Sequence, residues 1–204
     1  MHEKKLDFSL VFEPIWEKRT AFMIMSHDNT TPVLRDLNGT LITSCYAATE
    51  YLEDIYPETP LLPEKPGDRA EVRRLLAWFH NKMGGEVTRP LVHEKTIKRH
   101  IKGSDGPDSS LLRKAKQGIH LHMEYISWLI EQRRWIAGEF FSLADLAAAA
   151  HLSSLDYMGD VPWAQYPSVK QWYACLKSRP SFRGLLSDRL PGMAPRPHYN
   201  NLDF

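Results

Sequence analysis

The spacing of hydrophobic residues changes once along the chain, at a proline-rich segment that runs from Pro57 to Gly67 (PETPLLPEKPG). Before this segment, short aromatic and β-branched runs predict strands; after it, apolar residues recur at intervals of three and four, which predicts helices. The sequence therefore indicates an α+β region followed by an all-α region. We assign residues 1–57 to an N-terminal domain, 58–68 to a linker, 69–190 to a helical C-terminal domain and 191–204 to a proline-rich tail.

Three strands and one helix are predicted in the N-terminal domain. The first strand is Phe8–Phe12 (FSLVF), an aromatic and β-branched run. The next two, Val33–Asp36 and Thr40–Thr43, flank Asn38-Gly39, and because both of these residues tolerate positive φ, an antiparallel hairpin is expected. A helix follows, N-capped by Ser44 and ended by Pro57.

The helical domain is predicted to begin with two long amphipathic helices. Asp68 is expected to cap the first helix, whose far end Gly84-Gly85 and Pro90 weaken. A loop, Ile101–Ser110, leads to the second helix, Leu112–Ile130, so the two are expected to pack antiparallel. The apolar face of the first helix comprises Val72, Leu75, Leu76, Phe79 and Met83.

Ser142-Leu143-Ala144-Asp145 is a capping-box variant, in which the serine and the aspartate can each bond the other's backbone amide. A helix is therefore expected to begin there. The uniformly apolar residues that follow, as far as Ala150, predict the central buried helix of the domain. Further helices are expected at Ser168–Ser178 and Phe182–Asp188, and the tail has too much proline to continue them.

The composition argues against several classes of function. The 204 residues carry 26 Lys and Arg against 25 Asp and Glu, and a net charge of +1 gives no reason to expect binding to nucleic acid or to a membrane surface. Only two cysteines occur, so neither a disulfide scaffold nor a zinc cluster is indicated. The chain has no secretory signal pattern and no apolar run of about 18 residues, which favours a cytoplasmic protein.

Three features of the sequence resemble the glutathione S-transferase family, namely Thr31-Pro32 just before the second predicted strand, Thr43-Ser44 at the end of the third, and the capping box. The resemblance implies an α+β fold with a thioredoxin-like N-terminal domain and an all-α C-terminal domain. In that family the proline is cis, the backbone of the residue before it binds the cysteinyl part of glutathione, and an acidic residue followed by serine grips the γ-glutamyl group. Thr43 departs from that pattern because it is not acidic.

The residues alone also allow a simpler explanation of this stretch. Without the family resemblance, Pro32 would be read as a strand-edge proline and Ser44 as a helix cap, since caps are far commoner than ligand sites. With the resemblance, Thr31, Pro32, Thr43 and Ser44 become candidate glutathione-binding residues. Glutathione is then a possible substrate or ligand, and no cofactor is required.

More specific segments resemble the GST-like cell-division proteins of alphaproteobacteria, which bind the tubulin-like protein FtsZ. They are Phe12–Arg19, Glu86–Pro90, Gly159–Trp163, Lys177–Arg183 and the closing Pro197–Phe204. This resemblance runs through nearly the whole chain. It implies FtsZ as a partner and a homodimer as the assembly.

The start of the chain departs from the family. Transferases begin with a strand, a turn that carries the catalytic serine, cysteine or tyrosine, and a helix, whereas His2–Phe8 matches only the end of that helix and the next strand. The first strand and most of the first helix are thus missing from this chain, and no catalytic residue can be named. A late start codon and a natural truncation are both open explanations. The first is favoured because a missing central βα unit would leave apolar faces uncovered.

Other chemical candidates are weaker. Cys45 lies at a helix N-terminus, where the helix dipole can lower a thiol pKa, but a lone helical cysteine is more often a packing residue. His120 and His122 are two residues apart and point to different helix faces, and no HExxH motif occurs, so no metal site is expected.

Two segments could bind a partner. In the first, His93–Lys102, the basic residues Lys95, Lys98, Arg99 and Lys102 form either a solvated helix end or a docking patch for an acidic segment. The second is the tail, either packed back on the helical domain or held out for a partner. Its candidate contact residues are Tyr199, Leu202, Asp203 and Phe204.

These observations support two functions. The first is an adaptor that binds FtsZ and modulates division filaments. The second is a glutathione transferase that conjugates glutathione to small electrophiles, in which a lowered thiol pKa supplies the nucleophilic thiolate. An isolated scaffold without a ligand is a third possibility if the gene begins at Met1.

Overall fold

The computed structural model describes residues 1–202 of the 204-residue chain. The chain divides into two compact units, Met1–Leu61 and Leu62–Phe204. Both named strands lie in the first unit, and the second unit is built from helices. The predicted α+β architecture with an all-α second part is therefore confirmed.

The first unit contains a hairpin and short helices. Strand β1 pairs with β2 antiparallel, with Val33 opposite Thr43 and Arg35 opposite Leu41, so the hairpin predicted from Asn38-Gly39 is confirmed. Gly39 has a φ of 87°, a conformation that favours glycine. The elements are α1 Thr20–Met25, β1 Val33–Arg35, β2 Leu41–Thr43, α2 Cys45–Ile55, and 3₁₀ turns at His2–Lys4 and Ile15–Glu17.

The strand expected at Phe8–Phe12 is wrong: this segment has no regular structure. Leu10, Val11 and Phe12 are 81%, 86% and 62% exposed. A strand persists only where a neighbour completes its hydrogen bonds, and within residues 1–202 the sheet consists of β1 and β2 alone. An apolar composition without a pairing partner was therefore insufficient to form a strand.

The second unit packs its helices around a buried central helix. Its elements are α3 Pro66–Ala77, a π-helix Trp78–Thr88, α4 Arg89–Lys95, α5 Ser109–Gln132, α6 Leu143–Met158, α7 Pro167–Lys177, α8 Pro180–Ser187, and 3₁₀ turns at Ile97–His100 and Trp163–Gln165. Helix α6 is the predicted central helix, and most of its residues are buried. The predicted capping box is present, with Asp145 Oδ2 accepting from the Ser142 amide at 3.1 Å.

The first long helix differs from its prediction at both ends. It begins at Pro66 rather than after Asp68, because proline suits the first position of a helix, where no amide is needed. Its predicted apolar face is buried as expected.

At its far end, the helix widens into the π-helix, where the Arg89 guanidinium turns back to donate to the His80 carbonyl at 3.0 Å. A side chain at Gly84 or Gly85 would approach that guanidinium to 3.0 and 3.1 Å. The two glycines therefore make room for Arg89.

Candidate functional site

Four residues singled out by the sequence, Thr31, Pro32, Thr43 and Ser44, come together at one end of the hairpin. Because Val33 pairs with Thr43, the residues just before β1 and just after β2 lie side by side. The Thr31–Pro32 peptide bond is cis, as the family resemblance implied. All four residues are exposed. We refer to these four residues as the hairpin-end site.

Ser44 begins α2 with an unusual backbone conformation. It occupies the predicted N-cap position, with φ 77° and ψ 134°, but its side chain makes no capping hydrogen bond. Positive φ is uncommon for a residue other than glycine, and such outliers cluster at ligand-binding positions. A hydroxyl beside the amides of a helix N-terminus is chemically suited to a carboxylate.

The loop before the cis bond contains two organising residues that the sequence did not single out. The Ser26 hydroxyl is buried and lies 2.8 Å from Oδ1 of Asp28 and 2.9 Å from the Thr30 carbonyl. Asn29 donates its side-chain amide to the Ile15 carbonyl at 2.8 Å. A cluster of turn-forming residues in the sequence, Ser26 to Asn29 (SHDN), was the signal that could have indicated this loop.

Cys45 does not have the character of a nucleophile. Burial raises the pKa of its thiol above the ordinary value, opposite to the lowering that the helix N-terminus could have produced. No disulfide joins it to Cys175. The packing role considered in the sequence is therefore the better description.

The charges of the basic segment His93–Lys102 are partly neutralised by acidic side chains. The Lys95 ammonium lies 2.5 and 2.6 Å from the two carboxylate oxygens of Asp160, and Lys98 lies 2.9 Å from Glu94. Arg99 and Lys102 are exposed. Since the side chain of Asp160 is 2% exposed and that of Lys95 is 20% exposed, this ion pair is largely internal, and Arg99 and Lys102 remain the accessible part of the predicted patch.

The tail packs on the helical unit as far as it is described. We call residues 191–202 the strap. Tyr199 is 3% exposed, and its hydroxyl lies 2.8 Å from Ser153 Oγ on α6. The Arg196 amide donates to the Tyr157 carbonyl, and Tyr157 in turn donates its hydroxyl to the Met193 carbonyl at 2.6 Å.

The two explanations of the tail are thereby distinguished for residues 191–202, which lie against α6 and α7. Tyr199 was predicted to contact a partner. It is instead an internal packing residue, because its ring is buried in the helical unit. Leu202 is half-buried and lines a surface pocket of about 440 Å³ with Arg183, Leu186, Ser187, Arg189 and Asn200. Asp203 and Phe204 lie outside the described residues.

Within residues 1–202, no group of three or more His, Cys, Asp or Glu side chains is arranged to hold a metal ion. In the same residues, no helix combines the length and the apolar character needed to cross a membrane.

Comparison with known proteins identifies the family. The family model described as "Glutathione S-transferase, C-terminal domain" matches residues 79–180. FtsZ-localized protein A of Caulobacter vibrioides (strain NA1000 / CB15N) is 43% identical over 205 residues, covering 99% of this chain and 90% of that protein.

Solved structures agree with this identification. A crystal structure of a glutathione S-transferase from Rhodospirillum rubrum F11 is 49% identical, with a TM-score of 0.95 over 100% of this chain and 91% of that one. The structure of FzlA from C. crescentus is 43% identical, with a TM-score of 0.93 over 99% and 90% of the two chains. The protein has the glutathione S-transferase fold and belongs to the glutathione S-transferase family.

Proposed function

We propose that this protein is a glutathione S-transferase-fold adaptor that associates with FtsZ and modulates division filaments. The observation that carries the proposal is the 43% identity to FtsZ-localized protein A over 99% of this chain. Similarity at that level over the whole length favours a common partner more than similarity in one domain would. The proposal places the protein in the cytoplasm, on FtsZ filaments.

The hairpin-end site favours an adaptor over an efficient transferase. Thr43 stands where transferases of the family carry a carboxylate for the γ-glutamyl group, and a hydroxyl cannot supply that charge. The raised pKa of Cys45 also argues against a thiolate from this residue. Both features are consistent with a fold used for binding.

Co-sedimentation with purified FtsZ tests the adaptor. The full-length protein is expected to pellet with polymerised FtsZ and to stay in the supernatant with unpolymerised FtsZ. Replacing both Arg99 and Lys102 with Glu is expected to reduce pelleting, because the accessible basic patch is expected to contact the filament. The matched control reverses two other exposed charges, Lys18 and Lys65, to Glu. Failure of the unaltered protein to pellet would refute the adaptor proposal.

A homodimer is the second part of the proposal, and an exposed aromatic surface supports it. Trp128 and Leu121 on α5 are 52% and 48% exposed. The Trp128 ring stacks on the Tyr125 ring, with centroids 6.1 Å apart, and the centroid of the Tyr125 ring lies 4.4 Å from that of Trp78. Exposed apolar rings in contact with one another commonly mark interfaces.

The dimer is tested by light scattering after size-exclusion chromatography. Trp128→Glu is expected to shift the protein from dimer to monomer, because a charge would be buried at the interface. Phe140→Glu is the matched control, since Phe140 is 78% exposed in the loop before α6. A monomeric unaltered protein would refute this part of the proposal.

Glutathione binding is a second candidate function, favoured by the conformation of Ser44. Its hydroxyl, exposed and not engaged in capping, lies with the first amides of α2 where a carboxylate would be expected. Titration calorimetry with reduced glutathione tests this function. Ser44→Ala is expected to weaken any binding by several-fold, and Ser154→Ala, an exposed serine on α6, is expected to leave it unchanged.

A further inference from the structure

A buried ammonium group lies beneath the strap. The side chain of Lys177, at the end of α7, is fully buried. Its Nζ donates to the Asn201 carbonyl at 2.6 Å and to the His198 carbonyl at 3.5 Å. Both acceptors belong to the strap, so the charge of α7 is satisfied in part by the tail of the same chain.

Two tyrosine rings, one on α7 and one on the strap, also lie near the Lys177 ammonium group. Nζ of Lys177 lies 5.7 Å from the centroid of Tyr173 on α7 and 5.8 Å from that of Tyr199 on the strap. A cation within about 6 Å of a ring face is attracted to the ring. The Tyr199 ring therefore contributes to the same site as the strap carbonyls.

Asp156 on α6 also contacts the strap. Its Oδ1 accepts from Trp163 Nε1 and from His198 Nε2, each at 2.8 Å. Its Oδ2 is buried and lies 3.9 Å from Lys177 Nζ. The Asp156 carboxylate thus accepts a hydrogen bond from the strap residue His198. It also faces the ammonium group of Lys177, which donates to the strap backbone.

These contacts define one position of the strap. Buried charges are tolerated only where oriented partners compensate for lost hydration. The carbonyls of His198 and Asn201 provide such partners only in the observed conformation, since a shift of one residue would move them away from Nζ.

We propose that Lys177 and Asp156 form a latch that holds the strap in a preformed shape, and that FtsZ recognises the strap in this shape. The second half of this inference rests on the proposed adaptor function. Lys177 is then a positioning residue: it is fully buried, and it acts through the strap. Preorganisation favours association because the ordering of a flexible segment is already complete before the partner arrives.

Hydrogen exchange on the full-length protein tests the latch without any partner. The reporters are the amides of Tyr199 and Asn201, which donate within the strap to the carbonyls of Arg196 and His198. Lys177→Met keeps the length and apolar character of the side chain and removes the charge. We expect exchange at both amides to accelerate about tenfold, the effect of losing one charge-assisted hydrogen bond, while amides of α5 exchange as before.

His198→Ala provides a second variant, because it alters a half-exposed strap residue and leaves the core of α7 intact. It is expected to accelerate exchange of the strap by losing the contact with Asp156. Lys114→Met, at an exposed position of α5, is the matched control and is expected to change nothing. If neither Lys177→Met nor His198→Ala accelerates strap exchange, the latch is overturned.

Binding to FtsZ then separates a positioning role from a purely structural one. The two latch variants are expected to weaken binding several-fold while the circular dichroism spectrum and the α5 exchange rates stay unchanged. Accelerated strap exchange with unchanged FtsZ affinity would overturn the positioning role. If the unaltered protein fails to bind FtsZ, the adaptor proposal fails, and the partner-free exchange experiment still decides whether the latch exists.

Discussion

The indole of Trp78 donates to Nδ1 of His122 at 3.1 Å. Because an indole N–H can only donate, Nδ1 must be unprotonated and the proton must lie on Nε2. Nε2 lies 3.1 Å from the Glu86 carboxylate, which accepts it. His122 is thus held as one neutral tautomer between a donor and an acceptor, and burial lowers its pKa.

This arrangement predicts the effect of removing the indole donor. In Trp78→Phe, Nδ1 loses its donor and can accept a second proton without facing another N–H, so the pKa of His122 is expected to rise. NMR titration of the imidazole Cε1 proton measures the change. Trp128→Phe, on the same surface, is the control, and a His122 pKa that is the same in Trp78→Phe and in the unaltered protein would contradict the assignment.

A pair of neighbouring histidines, His80 and His151, predicts loss of stability in acid. Nε2 of His151 lies 3.2 Å from Nδ1 of His80, and its Nδ1 lies 2.9 Å from the Thr88 hydroxyl. Burial is the main cause that lowers the pKa of His151 to about 4, and the neighbouring His80 and then Arg89 add to the effect. Between pH 6.5 and 4 the unfolded chain therefore binds more protons than the folded one, and stability is lost as the pH falls through this window.

Urea unfolding measures this loss. From pH 7 to pH 4.5, His151 alone is expected to remove about 2 kcal/mol from the free energy of unfolding. Other groups titrate in the same range, so the test compares the unaltered protein with His151→Gln. The variant should be less stable at pH 7 but should lose about 2 kcal/mol less on acidification, and equal pH dependence of the two proteins would exclude His151 as the cause.

Local sequence signals predicted the elements that depend on neighbouring residues. Asn38-Gly39 predicted the hairpin, and the Ser142–Asp145 capping box predicted the start of α6. The hairpin also brings Pro32 and Ser44 together, because a single local turn separates the two strands that they flank. Elements that depend on contacts between neighbouring residues could therefore be predicted from short sequence motifs.

Contacts between distant residues were not predictable in this way. Phe8–Phe12 has the composition of a strand, but whether a strand forms depends on a neighbour elsewhere in the chain. Lys95 was expected on a basic patch, yet its partner Asp160 is 65 positions away. Tyr199 was a candidate for partner binding because its aromatic ring gave no indication that Ser153, 46 positions earlier, would bury it.

A third prediction compares two glycines with the same backbone conformation. Gly159, which ends α6, and Gly192, in the strap, both have a φ of 74°. A Cβ at Gly159 would overlap Nε of Arg196, whereas none of the atoms around Gly192 comes within 4 Å of a Cβ placed there. Gly192→Ala should therefore cost about 1 kcal/mol, the effect of a left-handed conformation alone.

Gly159→Ala should cost more, by at least about 1 kcal/mol, because Arg196 must also move away from the end of α6. Urea unfolding of the two variants measures the difference, and faster hydrogen exchange at the Arg196 amide would accompany it. If the two substitutions are equally destabilising, the contact between Arg196 and Gly159 contributes nothing to stability.

The last prediction concerns two aspartates at the N-terminal ends of long helices, Asp108 as the N-cap of α5 and Asp145 in the first turn of α6. Asp108 caps α5, where its Oδ1 accepts from the amides of Ser110 and Leu111. Asp145 is fully buried and accepts from three segments, through the amides of Ser142 and Ile136 and the indole of Trp172. Burial raises the pKa of Asp145 to about 6, so the carboxylate is still ionised at pH 7.

Asp108→Ala is expected to cost about 1 kcal/mol, the usual value of an N-cap. Asp145→Ala should cost about 3 kcal/mol or more, since it leaves several buried donors without an acceptor. Thermal unfolding at pH 7 compares the two variants. Similar losses would mean that Asp145 acts only as a helix cap, whereas the larger loss expected for Asp145→Ala follows if its carboxylate joins α6 to α7 and to the loop that contains Ile136.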